Sequence, residues 1–403
     1  MFLFGLVSCA SAGTTQSSST APTANANRPQ EIDVADHATI SRSGKAAIQD
    51  SLRAVLGRAM RDSAFPGAYA AIGNHSGVLA ELAVGQLDRT IPTVPDAHTL
   101  WDLASLTKVV GMTSAMMQLV EQHRVELDAP AQRYLPRWKA AGAERVTVRH
   151  LLSHSAGLPA WRPLYKESHS PEEALALVYA TAPDTLPGIR YVYSDLGAIL
   201  LGQIVESVSG ESLDGYLAKH VFAPLGMTDI RYRPGADVMD RVAPTEIDSW
   251  RGRQLRGDVH DENAYSLGGV AGHAGLFGSG ADLARLAQMY LNGGALDGFR
   301  LVTPATIALF TQQQDKSVSH RALGWETSNG TNSGGHLLSA RAFGHTGFTG
   351  TSIWIDPGRD LFIILLTNRV NPSRVNTKIG GVRVALADAV VRALDPGAVP
   401  ISR

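Results

Sequence analysis

Apolar residues recur along residues 44–61 with helical spacing: Ala47, Ile48, Leu52, Val55, Leu56 and Met60 share one side of a 3.6-residue spiral. The Pro66-Gly67 pair ends that pattern. Two short apolar runs follow, Ala68–Gly73 and Val78–Val84, and the turn residues Asn74-His75-Ser76-Gly77 between them predict a hairpin. Residues 85–100, with Pro92 and Pro95, read as loop. From Ser105 to Gln122 the spacing predicts a long apolar helix, with Met112, Ala115, Met116, Leu119 and Val120 along one side. The middle of the chain predicts helices over 147–152, 171–180, 196–208, 212–220 and 281–291, broken by proline and glycine. Near the end the period switches again. Gly350–Asp356 and Asp360–Asn368 read as strands joined by Pro357-Gly358, and Val382–Leu394 reads as a closing helix.

Strand patterns therefore lie at both ends of the chain and helices lie between them. This predicts an α/β lobe assembled from about 45–100 and 320–395, with a helical lobe of about 101–310 inserted between its parts, in one folded unit spanning 31–403. The first thirty residues read differently. Met1–Val7 are apolar, and Leu6-Val7-Ser8-Cys9 resembles a bacterial lipobox, in which the cysteine is lipidated. The apolar run is short and carries no basic residue before it, and a start codon assigned too late would account for both. Residues 11–30, rich in Ser, Thr, Ala, Asn and Pro, bury too little apolar area to offset the entropy of ordering and read as a tether. The expectation is an exported, periplasmic or envelope protein whose contact with the membrane is a lipid on Cys9. No run of 18 apolar residues occurs, so no spanning helix is expected.

Composition narrows the function. The 403-residue chain is 44% hydrophobic with a net charge of −1, so it offers no strongly basic surface for nucleic acid. Its one cysteine precludes an internal disulfide. Thirteen histidines raise the question of a metal. His150 and His154 lie four apart, and His260, Asp261 and His273 cluster loosely, but no H-E-x-x-H spacing occurs, and structural histidines are the better reading. Neither a metal nor an organic cofactor is implied.

Three short segments could carry chemistry. Ser105-Leu106-Thr107-Lys108 is an S-x-x-K, which on a helix brings a hydroxyl and an amine onto one face. A serine needs an adjacent base to attack, and a helix N-terminus helps to hold an oxyanion and to keep the lysine neutral. The plain alternative is a capping serine and an exposed lysine. Tyr193-Ser194-Asp195 precedes a helix, so its phenol could reach a cleft and exchange a proton, or simply pack while Ser194 or Asp195 caps the helix. His345-Thr346-Gly347 leads into Phe348-Thr349-Gly350 and an apolar strand. Small residues there let a substrate backbone approach, though an ordinary turn would look the same. No G-x-S-x-G elbow occurs, which disfavours an α/β-hydrolase.

The order and separation of these segments resemble the serine β-lactamase and penicillin-binding-protein family, closest to its class C branch, where S-x-x-K, Y-x-N and K-T-G follow one another. Here Tyr193 lies 85 residues after Lys108, and His345 lies 152 after Tyr193. Thr99–Lys108, Val146–Pro159, Gly268–Phe277 and Gly344–Pro357 are familial as well, and the resemblance covers about 45–395. It implies the β-lactamase/transpeptidase-like α/β fold, an antiparallel sheet flanked by helices plus the inserted helical lobe. It implies Ser105 as acylated nucleophile, Lys108 as base or holder of the base, and Tyr193 as catalytic tyrosine. The N–H groups of Ser105 and Phe348 would form the oxyanion hole, with His345, Thr346 and Gly347 lining the opposite wall. Two positions depart from the family pattern. Asp195 replaces asparagine, and facing Lys108 it would favour a charged lysine and leave Tyr193 the better base. His345 replaces lysine and is largely neutral at pH 7, which points toward peptidases and esterases. Asn371-Pro372-Ser373-Arg374, similar to an N-P-x-R of class C relatives, would restore carboxylate recognition through Arg374. The expected activity is D-alanyl-D-alanine carboxypeptidase-like or weakly lactamase, on a small molecule or a peptide such as a peptidoglycan stem. A carboxylesterase and a non-catalytic wall-binding protein are the alternatives.

Overall fold

The computed structural model describes residues 42–401. The expectations for Cys9 and for the tether of residues 11–30 lie outside the described residues.

Helix α1 (Arg42–Arg61) opens the described chain. Its apolar positions Ile48, Leu52, Val55 and Leu56 are buried, and its charged residues face outward. Strands β1 (Gly67–Asn74) and β2 (Gly77–Gly85) form the expected hairpin. Four further strands come from the far end of the chain: β3 (Glu326–Thr327), β4 (Phe343–Thr346), β5 (Ser352–Asp356) and β6 (Leu361–Thr367). Together they make one antiparallel six-stranded sheet in the order β3-β4-β5-β6-β1-β2. Pairs such as Ala70 with Leu365 thus join residues from opposite ends of the sequence.

Every residue of β1, β5 and β6 is buried, because this sheet is covered on both faces. Alternation divides the residues between two cores. Ala68, Ala70, Ile72, Leu361, Ile363 and Leu365 pack with helix α1 and the closing helix α5 (Ile379–Leu394). Tyr69, Ala71, Phe362, Ile364 and Leu366 face the other way, into a core shared with the helices of the middle segment. One of these, α4 (Gly280–Leu291), lies directly on that inner face although it belongs in sequence to the middle of the chain. The other two that position the site are α2 (Thr113–Glu121) and α3 (Asp195–Ser209).

Sequence patterns give no strand at 326–327 or 343–346. Both stretches are short, and β4 contains Gly344, where a Cβ would stand 2.4 Å from the Trp354 ring. A second, small sheet pairs Trp101–Asp102 with Leu276–Gly278, which pairs in turn with Arg231–Tyr232. It fixes the chain three residues before Ser105.

Candidate active site

The segment before Ser105 turns sharply. Asp102 is buried, and its carboxylate accepts the N–H groups of Ala104 (2.8 Å) and His260 (2.6 Å). Ala104 takes a left-handed backbone conformation, φ +45°, which costs a non-glycine residue roughly 1–3 kcal/mol and presents the next side chain to the groove. The N–H groups of Leu106, Thr107 and Lys108 then donate to the carbonyls of Leu103, Ala104 and Ser105. These i to i+3 bonds have 3₁₀ geometry, which eclipses positions three apart. The sequence leads one to expect an α-helix from Ser105. The structure instead has this tight turn, a π-turn over Lys108–Met112, and only then α2.

The tight turn sets Lys108 Nζ 3.1 Å from Ser105 Oγ. The same amine donates to the His273 carbonyl at 3.0 Å and pairs with Asp195 Oδ1 at 2.7 Å. Asp195 is the first residue of α3, with Ser194 as N-cap. Lys108 is 1% exposed. Burial works to discharge it, but the Asp195 carboxylate, with Tyr193 behind it, outweighs burial and raises its pKa above the ordinary lysine value. This corrects the idea that the helix terminus keeps the lysine neutral. The pairing favours the charged form of Lys108.

Tyr193 lies beside the lysine. Lys108 Nζ lies 5.0 Å from the centre of its ring, and its buried hydroxyl makes no hydrogen bond of good geometry among the described residues. The ring rests against His154 at 4.6 Å and His345 at 5.9 Å. His345 Nδ1 donates to the Thr346 carbonyl at 2.8 Å, which leaves Nε2 as a buried lone pair without a partner. His154 Nδ1 accepts the Ser194 N–H at 3.1 Å, which selects the opposite tautomer. Burial, and then the charges of Arg321 and Lys108, push both imidazoles well below their usual pKa. His345 is therefore neutral, as its replacement of lysine suggests.

The turn after β4 is stitched to the nucleophile segment. Thr349 Oγ1 donates to the Asp102 carbonyl at 2.6 Å and Thr351 Oγ1 to the Leu103 carbonyl at 3.1 Å. Gly347 has room for no side chain, since a Cβ there would meet Thr351 Oγ1 at 2.1 Å and the Leu103 carbonyl at 2.5 Å. The backbone N–H groups of Ser105 and Phe348 donate to no protein acceptor among the described residues.

Arg374 is the exception among the expected residues. Its Nε and Nη2 are spent on Glu246 (2.5 Å) and Glu262 (2.8 Å), so it brings little net positive charge to a ligand. Sequence reasoning missed Arg321 instead. This arginine is 9% exposed and forms no ion pair with a carboxylate among the described residues. Its guanidinium carbon lies 5.3 Å from the Tyr193 ring centre and 5.5 Å from that of Tyr191, and its Nη1 is buried without a hydrogen bond. Nothing in the loop around it forms a motif.

A family model described as Beta-lactamase matches residues 52–387. A protein of Escherichia coli strain K12 named "Putative D-alanyl-D-alanine carboxypeptidase" is 33% identical over 309 residues, 69% of this chain and 71% of that protein. The chain belongs to the β-lactamase family. Solved structures agree on the fold. A penicillin-binding-protein homologue from Caulobacter crescentus has TM-score 0.71 at 23% identity, covering 88% of this chain and 99% of that one. A class C β-lactamase has TM-score 0.71 at 18% identity, covering 87% and 97%. The site of this serine hydrolase holds a carboxylate at 195, a neutral imidazole at 345 and a buried cation at 321.

The two depressed histidines link stability to pH. Unfolded, each imidazole takes up a proton near pH 6.5, whereas folded it stays neutral to lower pH. The unfolded chain thus binds more protons below pH 6.5 and stability falls with acidification, by up to about 1.4 kcal/mol per pH unit for each histidine. Urea midpoints of His345→Gln should fall less steeply with acidification over that range than those of the unaltered protein. Parallel curves would contradict the buried neutral imidazole.

Proposed function

We propose that this hydrolase cleaves a peptide ending in a free carboxylate, of the D-alanyl-D-alanine type, through an acyl-enzyme on Ser105. Ser105 Oγ adds to the scissile carbonyl carbon, and the π electrons move to the oxygen between the Ser105 and Phe348 N–H groups. Tyr193, acting as its phenolate, takes the Ser105 proton and returns it to the departing amine. Lys108 keeps its own proton and offsets the charge on the tyrosine. Water then releases the acyl group from Ser105.

Arg321 carries the choice of substrate. The neutral His345 cannot attract an anion, and Arg374 is already paired. A buried guanidinium with an unused donor, stacked on the catalytic tyrosine, supplies the fixed charge for a terminal carboxylate. The relative named as a carboxypeptidase supports the same reading. Arg321→Gln should lower kcat/KM for an N-acyl-D-alanyl-D-alanine at least about 10-fold, the scale of one charge-assisted hydrogen bond. A neutral p-nitrophenyl ester should be cleaved nearly as before. An equal loss on both substrates would overturn the role of Arg321. Cleavage of esters alone by the unaltered protein would make it a carboxylesterase, and binding without turnover of either would make it a wall-binding protein.

The lipobox-like Leu6-Val7-Ser8-Cys9 supports placing this activity at the cell envelope. Cells fed labelled palmitate should label the full chain but not Cys9→Ala. An unlabelled chain would remove the anchor and leave the chemistry untouched.

A further inference from the structure

Arg383, on α5, reaches through the sheet edge to the turn after β4. Its Nη2 donates to the carbonyls of Gly347 and Thr351, each at 2.8 Å. Its Nε is buried without a partner, and no carboxylate pairs with it among the described residues. Burial, and then the neighbouring charge of Arg369, bring its pKa down to about 10, so it stays charged at neutral pH. Arg369 in turn donates from Nε to the Phe348 carbonyl at 2.8 Å, and its Nη1 is taken by the carbonyls of Arg374 and Asn376. Two consecutive carbonyls, 347 and 348, therefore each face a guanidinium. A partly buried charge without a counter-ion is costly, and a neutral donor could pin the same turn. The charge itself calls for an explanation.

The explanation lies in the peptide unit. The Gly347 carbonyl and the Phe348 N–H share one conjugated plane. A cation on the oxygen draws electron density through the C–N bond and makes the N–H a stronger donor. We infer that Arg383 is a positioning residue that strengthens the oxyanion hole, polarising the 347–348 peptide so that the Phe348 N–H binds the developing negative oxygen more tightly than a plain amide would. This rests on the reading of the Phe348 N–H as an oxyanion donor. Arg383 touches no substrate atom and acts entirely through that peptide.

A merely structural pin and a polarising charge differ in two readouts. We would follow a p-nitrophenyl ester carrying ¹³C at its acyl carbonyl, recording steady-state kinetics and the isotope-edited infrared band of the acyl-enzyme, in the full-length protein and in Arg383→Gln and Arg383→Lys. Polarisation predicts that Arg383→Gln loses about 10-fold or more in kcat with KM within about 3-fold, since a whole oxyanion donor is worth more than that. It also predicts that the carbonyl band moves to higher wavenumber, and that Arg383→Lys, which keeps the charge, restores most of both. A folded Arg383→Gln protein with an unmoved band overturns the inference, whatever its kcat. If neither variant folds, citrulline at position 383, the neutral isostere of arginine, must shift the band in the same direction, and an unmoved band there overturns it too. An unaltered enzyme whose acyl carbonyl absorbs like the free ester in water would instead show that Phe348 forms no oxyanion hole, and would remove the inference at its foundation.

Discussion

One ammonium group holds the site together. Lys108 Nζ touches Ser105 from its own turn, Asp195 at the head of α3 and the His273 carbonyl from a third stretch of chain. Those partners lie far apart in sequence and converge only because the amine is buried among them. A lysine this enclosed would lose its proton if left alone. The Asp195 carboxylate prevents that, and the charge so fixed shapes the surroundings. It adds to burial and to the Arg321 charge in holding the neighbouring imidazoles neutral, and it lies near the face of Tyr193.

The site thus holds charges that are not spent locally. In most folds a buried cation finds a carboxylate, because the cost of leaving one unpaired is several kcal/mol. Among the described residues Arg321 and Arg383 do not, while Arg374 does. Ser105 and Phe348 keep unbonded N–H groups, and His345 and Tyr193 keep polar atoms without a hydrogen bond of good geometry. Unmet valences gathered in one place suit a protein whose partner is a reacting ligand, and they mark where stability has been yielded to chemistry.

The sequence made the sheet and the candidate site residues legible for different reasons. Strands β1 and β6 are apolar on both faces, so they stand out as continuous runs. Ser105, Lys108, Tyr193 and His345 sit in short motifs whose order carries the information. The charges that complete the site are hidden from such reading. Arg321 and Arg383 interact with aromatic rings and main-chain carbonyls, which impose no residue pattern. Arg374 sits in a suggestive N-P-x-R, yet its partners Glu246 and Glu262 arrive from 128 and 112 residues away. The start of α2 was obscured in another way, since an apolar run is compatible with 3₁₀, π and α turns alike. Only the hydrogen bonds distinguish them.

The account depends most on Ser105 being the atom that becomes acylated. Intact-mass and peptide-mapping spectrometry after reaction with an active-site fluorophosphonate tests this directly. It should find one adduct per chain, confined to the peptide that contains Ser105 and lost in Ser105→Ala. An adduct on another residue, or hydrolysis that continues undiminished in the alanine variant, would contradict it.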